Sequence, residues 1–127
     1  MIIGMGTDII EIERVRRAVQ SEHFKQKVFT VDEQNYCESR GMQSAASYAA
    51  RFAAKEAFFK ALGTGIFTSL TEVETLNDNA GKPEIFLYGN AKTFAENLGV
   101  KKIFVSLSHC KNFATAFVIL ENNFLED

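Results

Sequence analysis

Arg51-Phe-Ala-Ala-Lys-Glu-Ala-Phe-Phe-Lys-Ala-Leu-Gly-Thr-Gly65 sets four charges among alanines and aromatics and then breaks off in glycine. Read at a helical period, Phe52, Phe59 and Leu62 share one apolar stripe, while Arg51/Lys55 and Glu56/Lys60 each stand one turn apart. A helix here presents a carboxylate beside cations, which suits a phosphate or a metal. The competing reading is a solvated surface helix, whose Glu/Lys pairs contribute roughly 0.2–0.5 kcal/mol each.

Outward from this stretch, Ser44 or Ser47 is the expected cap of the helix, and Gly63-Thr-Gly65 its stop, because glycine tolerates the left-handed conformation. Toward the N-terminus, Ile2 to Ile10 is apolar without a helical period and reads as a buried strand that contains Asp8. From Glu11 the period changes, and Ile12, Val15, Ala18 and Val19 form the face of a short amphipathic helix. Thr30-Val-Asp-Glu33 is a capping-box pattern that opens a helix to about Glu38, and Ser39 to Gln43 reads as a loop. Toward the C-terminus, Glu72 to Leu76 and Glu84 to Leu87 alternate around the turn formers Asn77 to Pro83, predicting a hairpin. Asn90 to Leu98 predicts a helix stopped by Gly99, with Ala91, Phe94, Ala95 and Leu98 inward. Lys102 to His109 and Phe113 to Leu120 predict a second hairpin turning at Cys110-Lys-Asn112. The fold class expected is α+β, a single small domain over residues 1–127 with a mostly antiparallel sheet against a long central helix.

Composition fits one domain. The 127 residues are 46% hydrophobic and 24% charged, and a chain of this length buries roughly two-thirds of its unfolded surface. A net charge of −2 argues against a general nucleic-acid binder. No apolar run is long enough to span a bilayer and the first residues lack a basic signal start, so no membrane association and a cytoplasmic location are the default expectations. Twelve phenylalanines without tryptophan point to an aromatic core. Cys37 and Cys110 lack any metal-ligand spacing and read as packing thiols.

Two glycine motifs invite nucleotide readings that fail. Gly4-Met-Gly6 lacks a third glycine and lies within a strand instead of opening a helix; Gly63-Thr-Gly65 ends a helix and no Lys-Ser/Thr follows. Asp8 carries more weight, since a carboxylate among Gly6, Ile9 and Ile10 needs a cation or donors to offset its desolvation. Mg²⁺ takes one or two protein carboxylates and fills its other positions with water and phosphate oxygens, an inventory that Asp8 and Glu56 fit. A turn aspartate satisfied by backbone is the alternative. His109, at a chain reversal, is able to meet a phosphate or a ribose, or is incidental. His23, between two short helices, has no assigned role. Arg14, Arg16, Arg17, Lys25 and Lys27 form a local positive excess, either a docking patch for an acidic protein or a solvated face.

The order of these motifs resembles one family, the holo-[acyl-carrier-protein] synthases, the small type of 4′-phosphopantetheinyl transferase. The matching pieces are Gly4 to Arg14, Phe29-Thr-Val-Asp-Glu33, Arg51 to Glu56 with Lys60 to Gly65, Gly81-Lys-Pro83, and Ser106-Leu-Ser-His109 ending in Leu120-Glu121. The resemblance implies transfer of 4′-phosphopantetheine from coenzyme A to a serine of apo acyl carrier protein, Mg²⁺-dependent and serving fatty acid biosynthesis, with release of adenosine 3′,5′-bisphosphate. It implies Asp8 and Glu56 as metal ligands and Lys60 as the lysine at the leaving phosphate. Arg51 and His109, with Ser108 beside them, then hold the nucleotide end, and Gly63, Thr64 and Gly65 let backbone approach the ligand. Arg14 and Arg17 become docking residues for the carrier's acidic helix. The family pattern further implies a homotrimer with active sites shared between subunits, and basic residues before the long helix, where this chain has Arg40-Gly-Met-Gln43. The general base is left open among Asp8, Glu56 and a metal-bound water. Two other classes compete: a Mg²⁺-dependent phosphohydrolase of nucleotide pyrophosphates, and a non-catalytic oligomeric module that binds acidic helices through Arg14 and Arg17.

Overall fold

The computed structural model describes residues 1–123. Its axis is helix α4 (Ser44–Leu62), and nearly every residue of it is buried. Ala53, Ala57 and Ala61 recur at one-turn spacing on α4 and are buried, so a smooth, small-residue face is available for close packing. The helix ends as its sequence dictates: Gly63 adopts φ +81°, and Thr64 N returns to Phe59 O at 3.3 Å.

Against α4 lies a three-stranded antiparallel sheet ordered β1-β5-β4, made of β1 (Ile2–Glu11), β4 (Lys102–His109) and β5 (Phe113–Glu121). Alternation along β5 turns Ala114, Ala116, Val118 and Leu120 into the core, together with Ile10 of β1. Phe58, Phe59, Phe29 and Tyr48 fill the remainder, with the Phe29 and Tyr48 rings edge-on at 4.8 Å. Three short helices, α1 (Ile12–Ala18), α2 (Glu22–Val28) and α3 (Val31–Glu38), wrap one end of α4. The capping box at Thr30 is present in both directions, Thr30 Oγ1 accepting from Glu33 N and Glu33 Oε1 from Thr30 N. The hairpin β2 (Val73–Asn77) and β3 (Pro83–Leu87) forms a separate two-stranded sheet, and α5 (Gly89–Leu98) follows it.

Several expectations need correction. The strand at the N-terminus is an edge strand with one open face, Met5 being 59% and Ile9 62% exposed; uniform hydrophobicity hid the alternation of its surroundings. The antiparallel strands divide into two sheets instead of one. His23 stands inside α2, not between helices. Gly41–Gln43 is a 3-10 turn within the expected loop, and Gln43 occupies the cap position of α4 with no side-chain bond from Ser44 or Ser47. On α5 only Ala91 and Ala95 are buried, whereas Phe94 and Leu98 are 38% and 46% exposed. Cys37 is a packing thiol, but Cys110 is exposed.

Candidate functional site

Strand β1 and helix α4 bring Asp8, Glu56 and Lys60 together. Lys60 Nζ donates to Asp8 Oδ1 at 2.9 Å and to the Thr7 carbonyl at 3.1 Å. Glu56 faces Asp8 within hydrogen-bonding reach, and its carboxyl pKa is raised, first by burial and then by the Asp8 charge, with Lys60 and Arg14 opposing. The lysine ammonium is held above its ordinary pKa by the bond to Asp8. Two carboxylates thus share one small region, with Lys60 and Arg14 as the neighbouring positive charges. A pair of oxygen donors so placed suits a hard divalent cation.

Among the described residues no group of three or more metal-ligating side chains forms. Asp8 and Glu56 are therefore a two-carboxylate site, which fits a Mg²⁺ ion that keeps waters or takes phosphate oxygens in its other positions. Arg14, expected on a docking surface, is exposed on α1 and close enough to Glu56 to act on its carboxyl. Arg17 is exposed on the same helix.

The second set of expected residues lies elsewhere. Arg51 and Lys60 stand two and a half turns apart on α4, about 13.5 Å along its axis. Arg51 and His109 line one cavity of about 300 Å³ together with Tyr36, Arg40, Gln43, Ser47 and Leu107. Arg51 itself is buried: its guanidinium donates to Ser47 Oγ at 3.1 Å and to Asn77 Oδ1, and lies over the Tyr36 ring at 4.3 Å. Its Nε has no partner. Arg40 stands over the same ring at 5.7 Å, so two guanidinium groups make the cavity basic although Gln43 in its lining is neutral. Within one chain, then, Asp8, Glu56 and Lys60 meet, while Arg51 and His109 form a separate pocket.

Gly63, Thr64 and Gly65 are exposed at the end of α4, three to five residues beyond Lys60 in the chain. Gly63 and Gly65 both have positive φ, +81° and +71°. Ser108 is exposed and, by strand alternation, projects from the opposite face of the sheet to His109, away from the Arg51 cavity. Sequence reading missed Tyr36, Arg40, Gln43 and Ser47 as pocket residues. Ser47 stands one helical turn before Arg51, a spacing legible in the sequence, whereas no such signal ties Tyr36, Arg40 and Gln43 to Arg51, because they reach it from outside α4.

The family model of the 4′-phosphopantetheinyl transferase superfamily matches residues 4–118. The chain belongs to this superfamily. It is a phosphopantetheinyl transferase of the holo-[acyl-carrier-protein] synthase type: it is 50% identical over 120 residues to the holo-[acyl-carrier-protein] synthase of Ruminiclostridium cellulolyticum, covering 91% of this chain and 90% of that one. The fold of the transferase matches that of the AcpS of Neisseria meningitidis, with a TM-score of 0.86, 36% identity and coverage of 96% and 100%. It also matches the Bacillus anthracis synthase solved in complex with CoA (3′,5′-ADP), with a TM-score of 0.80, 36% identity and coverage of 97% and 99%.

Proposed function

We propose that this transferase moves 4′-phosphopantetheine from coenzyme A to a serine of apo acyl carrier protein at the Asp8–Glu56–Lys60 site, in a Mg²⁺-dependent reaction. The observation that carries this reading is the pair of facing carboxylates with a lysine bonded to one of them. In the transfer, the serine oxygen forms a bond to the phosphorus bearing the pantetheine, and the bond from that phosphorus to the bridging oxygen breaks. Adenosine 3′,5′-bisphosphate leaves with the bridging oxygen, and the hydroxyl proton passes to a carboxylate of the pair or to water beside it. A bound Mg²⁺ would supply charge neutralisation for the pyrophosphate oxygens.

Asp8 and Glu56 would hold that ion. Lys60, bonded to Asp8, would direct its ammonium to the leaving phosphate, and the glycine-flanked Gly63–Gly65 turn would offer backbone to the ligand. Arg14, beside Glu56, would lie along the approach of the carrier's serine, and with Arg17 would greet the acidic helix of the carrier.

The Arg51–His109 cavity, with Arg40 at its rim, would take the nucleotide end of coenzyme A. Its distance from Lys60 within one chain is reconciled by assembly: Asp8, Glu56 and Lys60 of one subunit and His109 and Arg51 of the next would share one ligand in a homotrimer. The open face of the sheet favours assembly, because it exposes Met5, Ile9, Phe104, Phe113 and Phe117 where an isolated antiparallel sheet would be polar. Fatty acid biosynthesis in the cytoplasm is the setting this reading implies. No helix among the described residues is long and apolar enough to cross a membrane.

Nucleotide release tests the reaction class. Adenosine 3′,5′-bisphosphate should form from coenzyme A only when apo carrier protein is present; equal release without the carrier would instead assign a pyrophosphate hydrolase.

A further inference from the structure

Gly4 and Gly6 open no phosphate-binding turn, yet they are the two residues of β1 that carry no side chain where the strand meets α4. We propose that Gly6 is a positioning residue for the Asp8–Glu56 pair: by letting β1 lie against the α4 backbone, it fixes the gap across which Asp8 faces Glu56 and Lys60. This inference rests on the metal-site reading given above.

The positive-φ glycines are Gly41, Gly63, Gly65, Gly81, Gly89 and Gly99, so neither Gly4 nor Gly6 is needed for its backbone conformation. Space is what excludes a side chain. A Cβ on Gly6 would lie 2.2 Å from Ala57 O, 2.7 Å from Ala61 N and 3.0 Å from Lys60 Cβ; one on Gly4 would lie 2.2 Å from Ala61 O. Ala57 directly follows Glu56, and Ala61 directly follows Lys60, so Gly6 touches the helix at the two residues next to the site. The obstructing atoms are backbone of a regular helix and yield little. Strand β1 would have to retreat by about 1 Å, and misplacement on that scale is enough to disable a positioned constellation.

The retreat would reach Asp8. Gly4, Gly6 and Asp8 are successive same-face positions, roughly 3.3 Å of strand per residue, which puts Gly6 about 6.6 Å and Gly4 about 13 Å from Asp8. Pairing of Gly6 with Val118 and of Asp8 with Ala116 ties both residues to β5 in one register, so they shift together. Gly4, farther along the strand from Asp8, would meet Ala61 but not Ala57 beside Glu56, and so serves as the comparison for the gap at Glu56.

Mn²⁺ binding followed by electron paramagnetic resonance, with coenzyme A present and thermal melting measured alongside, tests the inference. Wild type should bind. Gly6→Ala should bind Mn²⁺ about tenfold more weakly or worse. Gly4→Ala should lose comparable thermal stability yet keep its affinity within about twofold, as expected for a distant site. Wild-type affinity in folded Gly6→Ala, or equal weakening in both variants, would overturn the positioning role alone. If Gly6→Ala does not fold, Asp8→Glu serves: it keeps the charge but adds a methylene across a fixed gap and should weaken binding, so unchanged affinity would overturn the inference. Absence of binding by wild type would overturn the metal-site reading itself, and this inference with it.

Discussion

Lys55 Nζ lies 2.8 Å from Glu33 Oε1, and both side chains are wholly sealed from solvent. The other two protons of Lys55 go to the Leu70 and Val73 carbonyls at 3.0 and 2.6 Å, and Glu33 Oε2 accepts from Thr75 N at 2.9 Å. Three acceptors around one nitrogen require an ammonium, although burial pulls the Lys55 pKa down against the pull of Glu33. Lys55 and its sequence neighbour Glu56 therefore do different jobs: Lys55 clamps α3, α4 and β2 into one body, and Glu56 faces Asp8.

Removing one member of that clamp strands a buried charge. Lys55→Met should cost about 3–5 kcal/mol in chemical denaturation, and Lys55→Met/Glu33→Met should recover part of the loss. A single variant as stable as wild type would mean that the ion pair does not hold the elements together.

Glu38 links α3 to α4 by accepting from Tyr48 Oη, with Lys25 beside it. Its carboxyl is held below the ordinary value mainly by the Tyr48 bond, so the folded state favours the ionised form. The contribution is complete above the unfolded value near 4.5 and fades as pH falls through the lower folded value. Melting of wild type and Tyr48→Phe from pH 7 to pH 3 should show a stability gap that narrows below pH 4.5; a gap constant over that range would contradict the linkage.

The two thiols should separate cleanly under alkylation. Cys110 is exposed and its pKa is lowered by backbone N–H groups, chiefly those of Asn112 and Phe113. Burial pushes Cys37 up to about 11. Iodoacetamide should modify Cys110 in the native protein and reach Cys37 only after unfolding, as peptide mass mapping would show; labelling of both at similar rates would refute the burial of Cys37.

The proposed sharing of active sites between subunits predicts complementation. Asp8→Ala and His109→Ala should each be nearly inactive alone, yet an equal mixture reassembled from denatured chains should regain about a quarter of wild-type activity, the fraction of interfaces that join two intact halves. No recovery in mixed oligomers of confirmed composition would place the Asp8 and His109 roles in one subunit.

Sequence made the backbone of this account legible where a local signal is strong. The Thr30 capping box, the Gly63 and Gly99 stops and the turn-rich Asn77–Pro83 hairpin are short-range patterns, and the structure carries each of them. Asp8 and Glu56 stood out because an acidic residue in an apolar setting is costly, and the fold does bring them face to face. What stayed hidden depends on distant chain segments meeting. The partner of Lys55 is 22 residues away and not at the helical spacing, and Tyr36, Arg40 and Gln43 join the Arg51 cavity only because α3 folds back on α4. The open side of β1 was hidden too, since a strand with an exposed apolar face reads in sequence like one buried on both faces.

Intact-mass spectrometry of apo acyl carrier protein, incubated with this protein, coenzyme A and Mg²⁺, tests the central claim most directly, with EDTA and Glu56→Gln samples alongside. The account predicts a gain of one phosphopantetheine mass that EDTA abolishes and that Glu56→Gln slows by about 10²-fold or more while the fold is retained. A carrier mass that stays unchanged in the complete mixture, or a gain indifferent to EDTA and to Glu56→Gln, would contradict it.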